Sequence, residues 1–316
     1  MKINAFMIYP FLCASVPLPH CAHLSSYNFF TNSSCIIVKY SLSLFFGVFS
    51  KYSIVGNFYV MIRISSRERY LFKQKGTIGY FVCPGLNGML IHGFSTKLPS
   101  AGGCSRHEKI YRQRQEFCGA LQVNAPSLLR MQQVHGDRIF MAKDPVSQLD
   151  AGEYDGAVTN STSVALSVVT ADCLPILIYE QNKKIIGAVH AGWKGASLGI
   201  LRNALAAIQQ DFGGSPQDCI VLMGPSLRHC CFEIQRDVLD ILQERLSCWS
   251  QVVTTTQNRF YFDLQLTNVL QAREMGVSYE NIRTLNLCTF CQPGWFHSYR
   301  RDKSQAGRMI SVISLS

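Results

Sequence analysis

Three short segments of this 316-residue sequence concentrate side chains that can bind a metal or attack a substrate. They are 132–136 (QQVHG), 170–175 (TADCLP) and 188–195 (AVHAGWKG). Each follows or interrupts an apolar run and sets a reactive residue beside a small residue or a turn. If strands bring these ends together, His135, Cys173 and His190 place two imidazoles and one thiolate around one point. Three protein ligands and one open position is the arrangement of a catalytic zinc site, where the open position holds a water of lowered pKa. The same trio supports a second chemistry, with Cys173 as nucleophile and His190 as its base. The adjacent Asp172 opposes that reading, because a nearby carboxylate raises a thiol pKa unless its charge is turned away. Spacing alone leaves both open, since the three residues are distant in sequence and no CxxC…CxxC pattern supports them.

Other residues carry weaker signals. Lys194 lies between Gly192 and Gly195 just before a predicted helix, where free backbone N–H groups attract phosphate. The alternative is a tight turn with a solvated lysine. Arg300, Arg301 and Arg308 form a basic cluster that could grip phosphate bidentately or form a surface ion-pair network. His229 follows Gly224-Pro225-Ser226 in a predicted loop near the same pocket. Cys288 and Cys291 form a CxxC without an evident partner pair, which reads as structural or incidental thiols. The chain has 13 cysteines, and the adjacency of Cys230 and Cys231 disfavours a mutual bridge. Most read as small buried hydrophobes of a protein in a reducing cytosol, and a cytoplasmic location is expected.

The elements that must position these residues are legible as periodic runs. Short Val- and Ile-rich stretches at 89–94, 128–134, 164–170, 175–179, 185–190, 219–223, 282–286 and 309–313 read as buried strands. Residues 196–211, 234–246 and 263–275 carry apolar side chains at helical spacing, and Gly213 and Gly276 stop the first and last. Strands cluster instead of alternating strictly with helices. This favours a single layered α+β domain with mixed sheets over a doubly wound nucleotide-binding fold. No GxGxxG or GxxxxGK[ST] motif is present.

The composition is that of a globular protein, 47% hydrophobic and 16% charged, with a formal charge of +10. Such a charge suits an anionic substrate. No nucleic-acid-binding motif is recognisable, so no nucleic-acid partner is expected. Residues 1–60 differ from the rest: they contain Lys2, Lys39 and Lys51 but no Asp or Glu. A signal-peptide reading is weakened by Pro10 and Pro17 in the apolar run. A membrane span over 41–62 would bury Lys51 near its centre, at a cost of roughly 2.5–3.5 kcal/mol. Met61 opens a plausible chain start, so residues 1–60 read as a doubtful extension, an over-extended gene model, and 61–316 as the domain. No stable membrane association is expected for 61–316.

The segments QVHG, TADCLPILIYE, AVHAGWKG, MGPSLRHCCFEI and CTFCQPGWFHSYRRDKSQAGRMISVI, in this order, resemble the laccase-domain or polyphenol-oxidase (YfiH-like) family. The resemblance runs from about Leu90 to the C-terminus. It implies an α/β/β/α layered domain, with zinc held by His135, Cys173 and His190. It also implies phosphorolysis of adenosine, inosine, guanosine or methylthioadenosine, with adenosine deamination as a second reaction. Purine nucleosides and phosphate are then the partners, and Lys97, Lys194, Arg300, Arg308 and His229 are candidates to bind them. The 92–97 segment HGFSTK resembles the family's opening HGFxTR, with Lys97 where Arg is usual. Gly102-Gly103-Cys104-Ser105 stands where GGVS is usual, and the segment that follows departs from the pattern, so region 97–118 alters one pocket wall. Two alternatives accompany the resemblance: an editing hydrolase of peptidoglycan precursors, and a copper polyphenol oxidase. The second is disfavoured, because a multicopper oxidase needs more histidines, mostly in HxH pairs, and this chain has eight and no HxH.

Overall fold

The computed structural model describes residues 59–63, 69–86, 88–99, 105–123, 128–143, 146 and 149–316. The extension up to residue 58 and the 102–104 segment lie outside the described residues. The chain opens with β1 (Tyr59–Arg63), β2 (Arg69–Lys75), β3 (Ile78–Val82) and β4 (Leu90–Ser95), then α1 (Arg106–Leu121). Next come β5 (Leu128–Gln132), β6 (Ile139–Ala142), β7 (Asp150–Glu153), β8 (Gly156–Thr159), β9 (Ala165–Thr170), β10 (Leu174–Glu180) and β11 (Ile185–Ala191). The helices α2 (Trp193–Leu198) and α3 (Ile200–Phe212) follow, then β12 (Cys219–Met223), β13 (Glu233–Ile234), α4 (Arg236–Arg245) and α5 (Trp249–Val252). The rest is β14 (Val253–Thr256), β15 (Arg259–Phe262), α6 (Leu264–Glu274), β16 (Ile282–Thr284), α7 (Tyr299–Asp302) and β17 (Met309–Leu315).

Two mixed sheets form the centre. The larger has the order β1-β2-β3-β4-β17-β9-β5-β7, and the smaller β16-β12-β10-β11-β8-β6. A three-stranded sheet, β13-β15-β14, sits apart. The long strands are apolar on both faces because both faces are covered. On β10, Leu174, Ile176 and Ile178 pack with Leu201, Leu205 and Ile208 of α3. Leu177 and Tyr179 point the other way, into a second core shared with Phe81, Phe94, Leu166 and Ile313 of the larger sheet. On β17, Ile310 and Val312 face Phe117 and Cys118 of α1. The layers are therefore helix, sheet, sheet, helix, as the family resemblance implies. Among the described residues no helix is long and apolar enough to cross a membrane.

Two elements differ from the periodicity reading. The helix expected over 196–211 is two helices, broken at Gly199, whose φ of 82° is a left-handed conformation that glycine adopts without a side-chain clash. The helix α1 has no clean apolar stripe, because the buried Gln113 and Arg114 lie beside Phe117 and Cys118. Its start is nevertheless written in Ser105-x-x-Glu108: the Ser105 hydroxyl accepts from the Glu108 N–H, half of a capping box.

Candidate metal centre and adjoining cavity

The chain passes from the larger to the smaller sheet three times in succession, between β5 and β6, β7 and β8, and β9 and β10. These crossings carry His135, Asp155 and Cys173. The fourth residue, His190, lies on β11 opposite Pro175 of β10. The metal-capable atoms of His135, Cys173 and His190 all lie within 4.8 Å of one another, and the two imidazole rings meet edge to face at 4.8 Å between centroids. Gly192 permits this approach. A Cβ there would sit 3.1 Å from His135 Cδ2 and 3.3 Å from Cys173 Sγ.

Two non-glycine residues at the centre have left-handed backbones, His135 at φ 62° and Asp172 at φ 89°. Such conformations cost on the order of 1–3 kcal/mol and persist only where neighbours hold them. Asp155 holds the first. Its fully buried carboxylate accepts from the backbone N–H groups of His135 (2.9 Å), Val134 (3.1 Å) and Gly136 (2.7 Å). The same carboxylate meets His190 Nδ1 at 2.7 Å, which leaves Nε2 as the ring nitrogen that could ligate a metal. A histidine whose second nitrogen is fixed by a carboxylate is the usual support of a metal ligand. Asp172 is held by the Thr289 hydroxyl and the Arg300 N–H, each at 2.6 Å. Those bonds occupy both carboxylate oxygens with partners other than the adjacent thiol.

Sequence reasoning missed Asp155. The signal available was an acidic residue directly before the apolar run Gly156-Ala157-Val158, a place where a buried carboxylate must have several donors.

The electrostatics favour a thiolate. Burial alone pushes the Cys173 thiol up, but the charge of His190 and hydrogen bonds from both imidazoles outweigh it, leaving its pKa at about 6. Burial would lower His190, and the Cys173 thiolate and Asp155 carboxylate raise it instead, to about 9. Two imidazoles and one thiolate form a donor set of borderline softness, and the residues present fit a divalent metal with an open coordination position.

A cavity of about 510 Å³ opens above these three residues, and its wall includes Trp193, Phe232, Tyr299, Arg300 and Arg308. Arg300 is fixed by a bond from Nη1 to Glu233 O (3.0 Å), with its guanidinium 5.5 Å from the Phe232 ring centroid. Arg308 donates to Ala306 O and Gly307 O at 3.0 and 2.9 Å. Arg308 also lines a neighbouring cleft formed with α1 residues Tyr111 and Arg114.

The remaining candidates from the sequence lie elsewhere. Lys194 is exposed on the six-residue α2, with Nζ 5.6 Å from the Trp193 ring centroid. The Lys97 N–H donates to Trp295 O at 2.8 Å, outside the cavity lining. His229 is more than half exposed, is ion-paired with Asp263 at 3.4 Å and is not part of the cavity lining. Arg301 is structural, donating to the carbonyls of Thr289, Phe290 and Phe296 and to Asp302. The aromatic lining residue Phe232 carried no sequence signal, because an aromatic beside a loop reads as core.

Residues 102–316 match the protein family described as multi-copper polyphenol oxidoreductase laccase, and the chain belongs to this family. It is 29% identical over 256 residues to the purine nucleoside phosphorylase YlmD of Bacillus subtilis, covering 72% of this chain and 90% of that one. It is 29% identical over 277 residues to the mouse (Mus musculus) purine nucleoside phosphorylase LACC1, covering 80% of this chain and 62% of that protein's length. The crystal structure of YlmD from Geobacillus stearothermophilus superposes with a TM-score of 0.69 at 26% identity, covering 77% of this chain and 98% of that one.

Proposed function

We propose that this protein is a zinc-dependent purine nucleoside phosphorylase that also deaminates adenosine. The observation that carries the reading is the convergence of His135, Cys173 and His190 beneath a cavity whose wall supplies both aromatic faces and guanidinium groups. The relatives named purine nucleoside phosphorylase support it. A purine needs flat apolar surfaces, which Trp193, Phe232 and Tyr299 provide. Phosphate needs planar cationic donors, which Arg300 and Arg308 provide. The overall charge of +10 favours an anionic co-substrate in the same sense.

In phosphorolysis a phosphate oxygen bonds to ribose C1′ while the bond from C1′ to the purine nitrogen breaks. The electron pair leaves with the base, which takes up a proton. Arg300 and Arg308 hold the phosphate, and the cavity aligns it with the sugar, so much of the acceleration is positioning. Asp155 keeps the His190 proton on Nδ1 and the His135 loop in place. Gln133 ties that loop to β9 through paired bonds with Val169, both 2.8 Å. Zinc held by His135, Cys173 and His190 would supply Lewis acidity and a water of lowered pKa, the chemistry adenosine deamination needs.

The donor sets do not favour a multicopper oxidase: the groups of metal-capable side chains among the described residues contain two histidines in all. The test is purified protein with adenosine, with and without phosphate, following adenine and inosine. Adenine release that requires phosphate supports the proposal. Equal release without phosphate, or no nucleoside turnover alongside copper-dependent phenol oxidation, overturns it. Cys173→Ala separates ligand from nucleophile: it loses the zinc of this centre and activity together if Cys173 is a ligand, but keeps that zinc and is inactive if it is a nucleophile.

A further inference from the structure

Outside the cavity, four cysteines meet at one place. Cys230 and Cys231 lie on the loop after β12, and Cys288 and Cys291 on the loop after β16. These two strands are parallel neighbours, so their C-terminal loops emerge side by side. A parallel bridge between Ser226 and Cys288 joins the loops, with Ser226 N–H on Leu287 O at 3.3 Å and Thr289 N–H on Ser226 O at 3.0 Å. The CxxC that had no partner in the sequence thus finds one in the Cys230-Cys231 pair. All four Sγ atoms lie within 4.8 Å of one another. Two of the separations are 3.3 Å, between Cys231 and Cys291, and 3.9 Å, between Cys230 and Cys291.

We propose that Cys230, Cys231, Cys288 and Cys291 form a second metal centre, a closed four-thiolate site for zinc that is structural and separate from the cavity. Tetrahedral zinc with Zn–S bonds of about 2.3 Å has sulfur atoms about 3.8 Å apart, which matches the observed spacing. A disulfide would need about 2.05 Å and would leave the remaining two thiols of the cluster without a role. The donors are all sulfur, the soft set that selects zinc or iron over hard cations. The backbone supports the charge, since Cys288 Sγ accepts N–H bonds from Arg228 and Cys291. Four protein ligands leave no open position, so the site holds structure and does no chemistry.

The site braces the cavity wall. Leu227 and Phe232, which line the cavity, flank Cys230 and Cys231 in sequence. Thr289, next to Cys288, donates to Asp172 beside Cys173. Arg300 donates to Cys231 O at 3.5 Å. One ion across the two loops would fix Phe232, Arg300 and Asp172 together.

The test is metal analysis of the full chain purified under reductant, followed by cobalt(II) reconstitution. The expected result is two zinc ions per chain. Cys291→Ser should hold one and lose the intense thiolate-to-cobalt charge-transfer absorption of a four-sulfur site. His135→Ala should also hold one zinc but keep that absorption. A folded Cys291→Ser with the wild-type metal content overturns the proposal, while leaving the centre at His135 intact. If Cys291→Ser does not fold, wild-type protein is alkylated with and without chelator and mapped by mass spectrometry. Protection of these four thiols only in the metal-loaded protein supports the site. Equal labelling, or a disulfide among them, overturns it.

Discussion

Replacing Asp155 by Asn preserves the size of the side chain and removes its charge. The carboxylate accepts from four donors, two on each oxygen: His190 Nδ1 and the His135 N–H on Oδ1, and the Val134 and Gly136 N–H groups on Oδ2. An amide has one acceptor oxygen. If its NH2 replaces Oδ2, two buried backbone donors lose their acceptor, and at about 1.5–3 kcal/mol per bond to a charged group the loss is roughly 3–6 kcal/mol. If the NH2 replaces Oδ1, one backbone bond is lost. His190 Nδ1 must then accept, which moves the ring proton to Nε2, the ligand atom. Either arrangement weakens the metal site, and loss of such a supporting carboxylate typically costs about 10–100-fold in metal affinity. The assay is competitive zinc titration against a chromophoric chelator, with urea unfolding of the metal-free protein in parallel. Folded Asp155→Asn with wild-type zinc affinity and stability would refute the argument that Asp155 positions both histidines.

Gly195→Ala should cost about 1–3 kcal/mol in thermal unfolding, because the added Cβ would lie 2.5 Å from Gly136 O, a backbone atom of the His135 loop. Gly119→Ala, which meets nothing within 4 Å, is the control that should not destabilise. The buried His92 accepts the Cys83 N–H at 2.9 Å and is held neutral, its pKa lowered to about 4 by burial and then by Lys73 and Arg283. The unfolded chain binds this proton first, so the contribution of His92 is full above about pH 6.5 and is lost as pH falls toward 4, by up to about 3 kcal/mol. Urea unfolding of wild type and His92→Gln across that range should show a smaller pH dependence in the variant; equal dependence contradicts the assignment. A chain begun at Met61 should fold with unchanged melting temperature and activity, since it shortens β1 at the edge of its sheet by two residues, Tyr59 and Val60. A lowered melting temperature would show that the preceding segment contributes to the domain.

The sandwich of layers was legible because its strands are covered on both faces. Residues 174–179 and 185–189 are continuous apolar runs for that reason. The break at Gly199 was not, because Leu198, Leu201 and Leu205 keep helical spacing across it. The helix α1 was hidden because its buried face includes Gln113 and Arg114, which a hydrophobic pattern scores as surface. Within the site, His135, Cys173 and His190 were nameable from residue type and family resemblance. Asp155 and the pairing of Cys230-Cys231 with the CxxC arise only from topology: three sheet crossings at one rim, and two parallel strands whose loops leave together. The same holds for the pairing of His229 with Asp263, the residue that caps α6.

The central claim is that the metal at His135, Cys173 and His190 and the phosphate held beside it together cleave a purine nucleoside. It is tested most directly by following hypoxanthine release from inosine in phosphate buffer, using metal-stripped protein before and after zinc is restored. The expected result is release that is lost with the metal, returns with zinc, and stays absent when phosphate is omitted. Undiminished release by verified metal-free protein would contradict it.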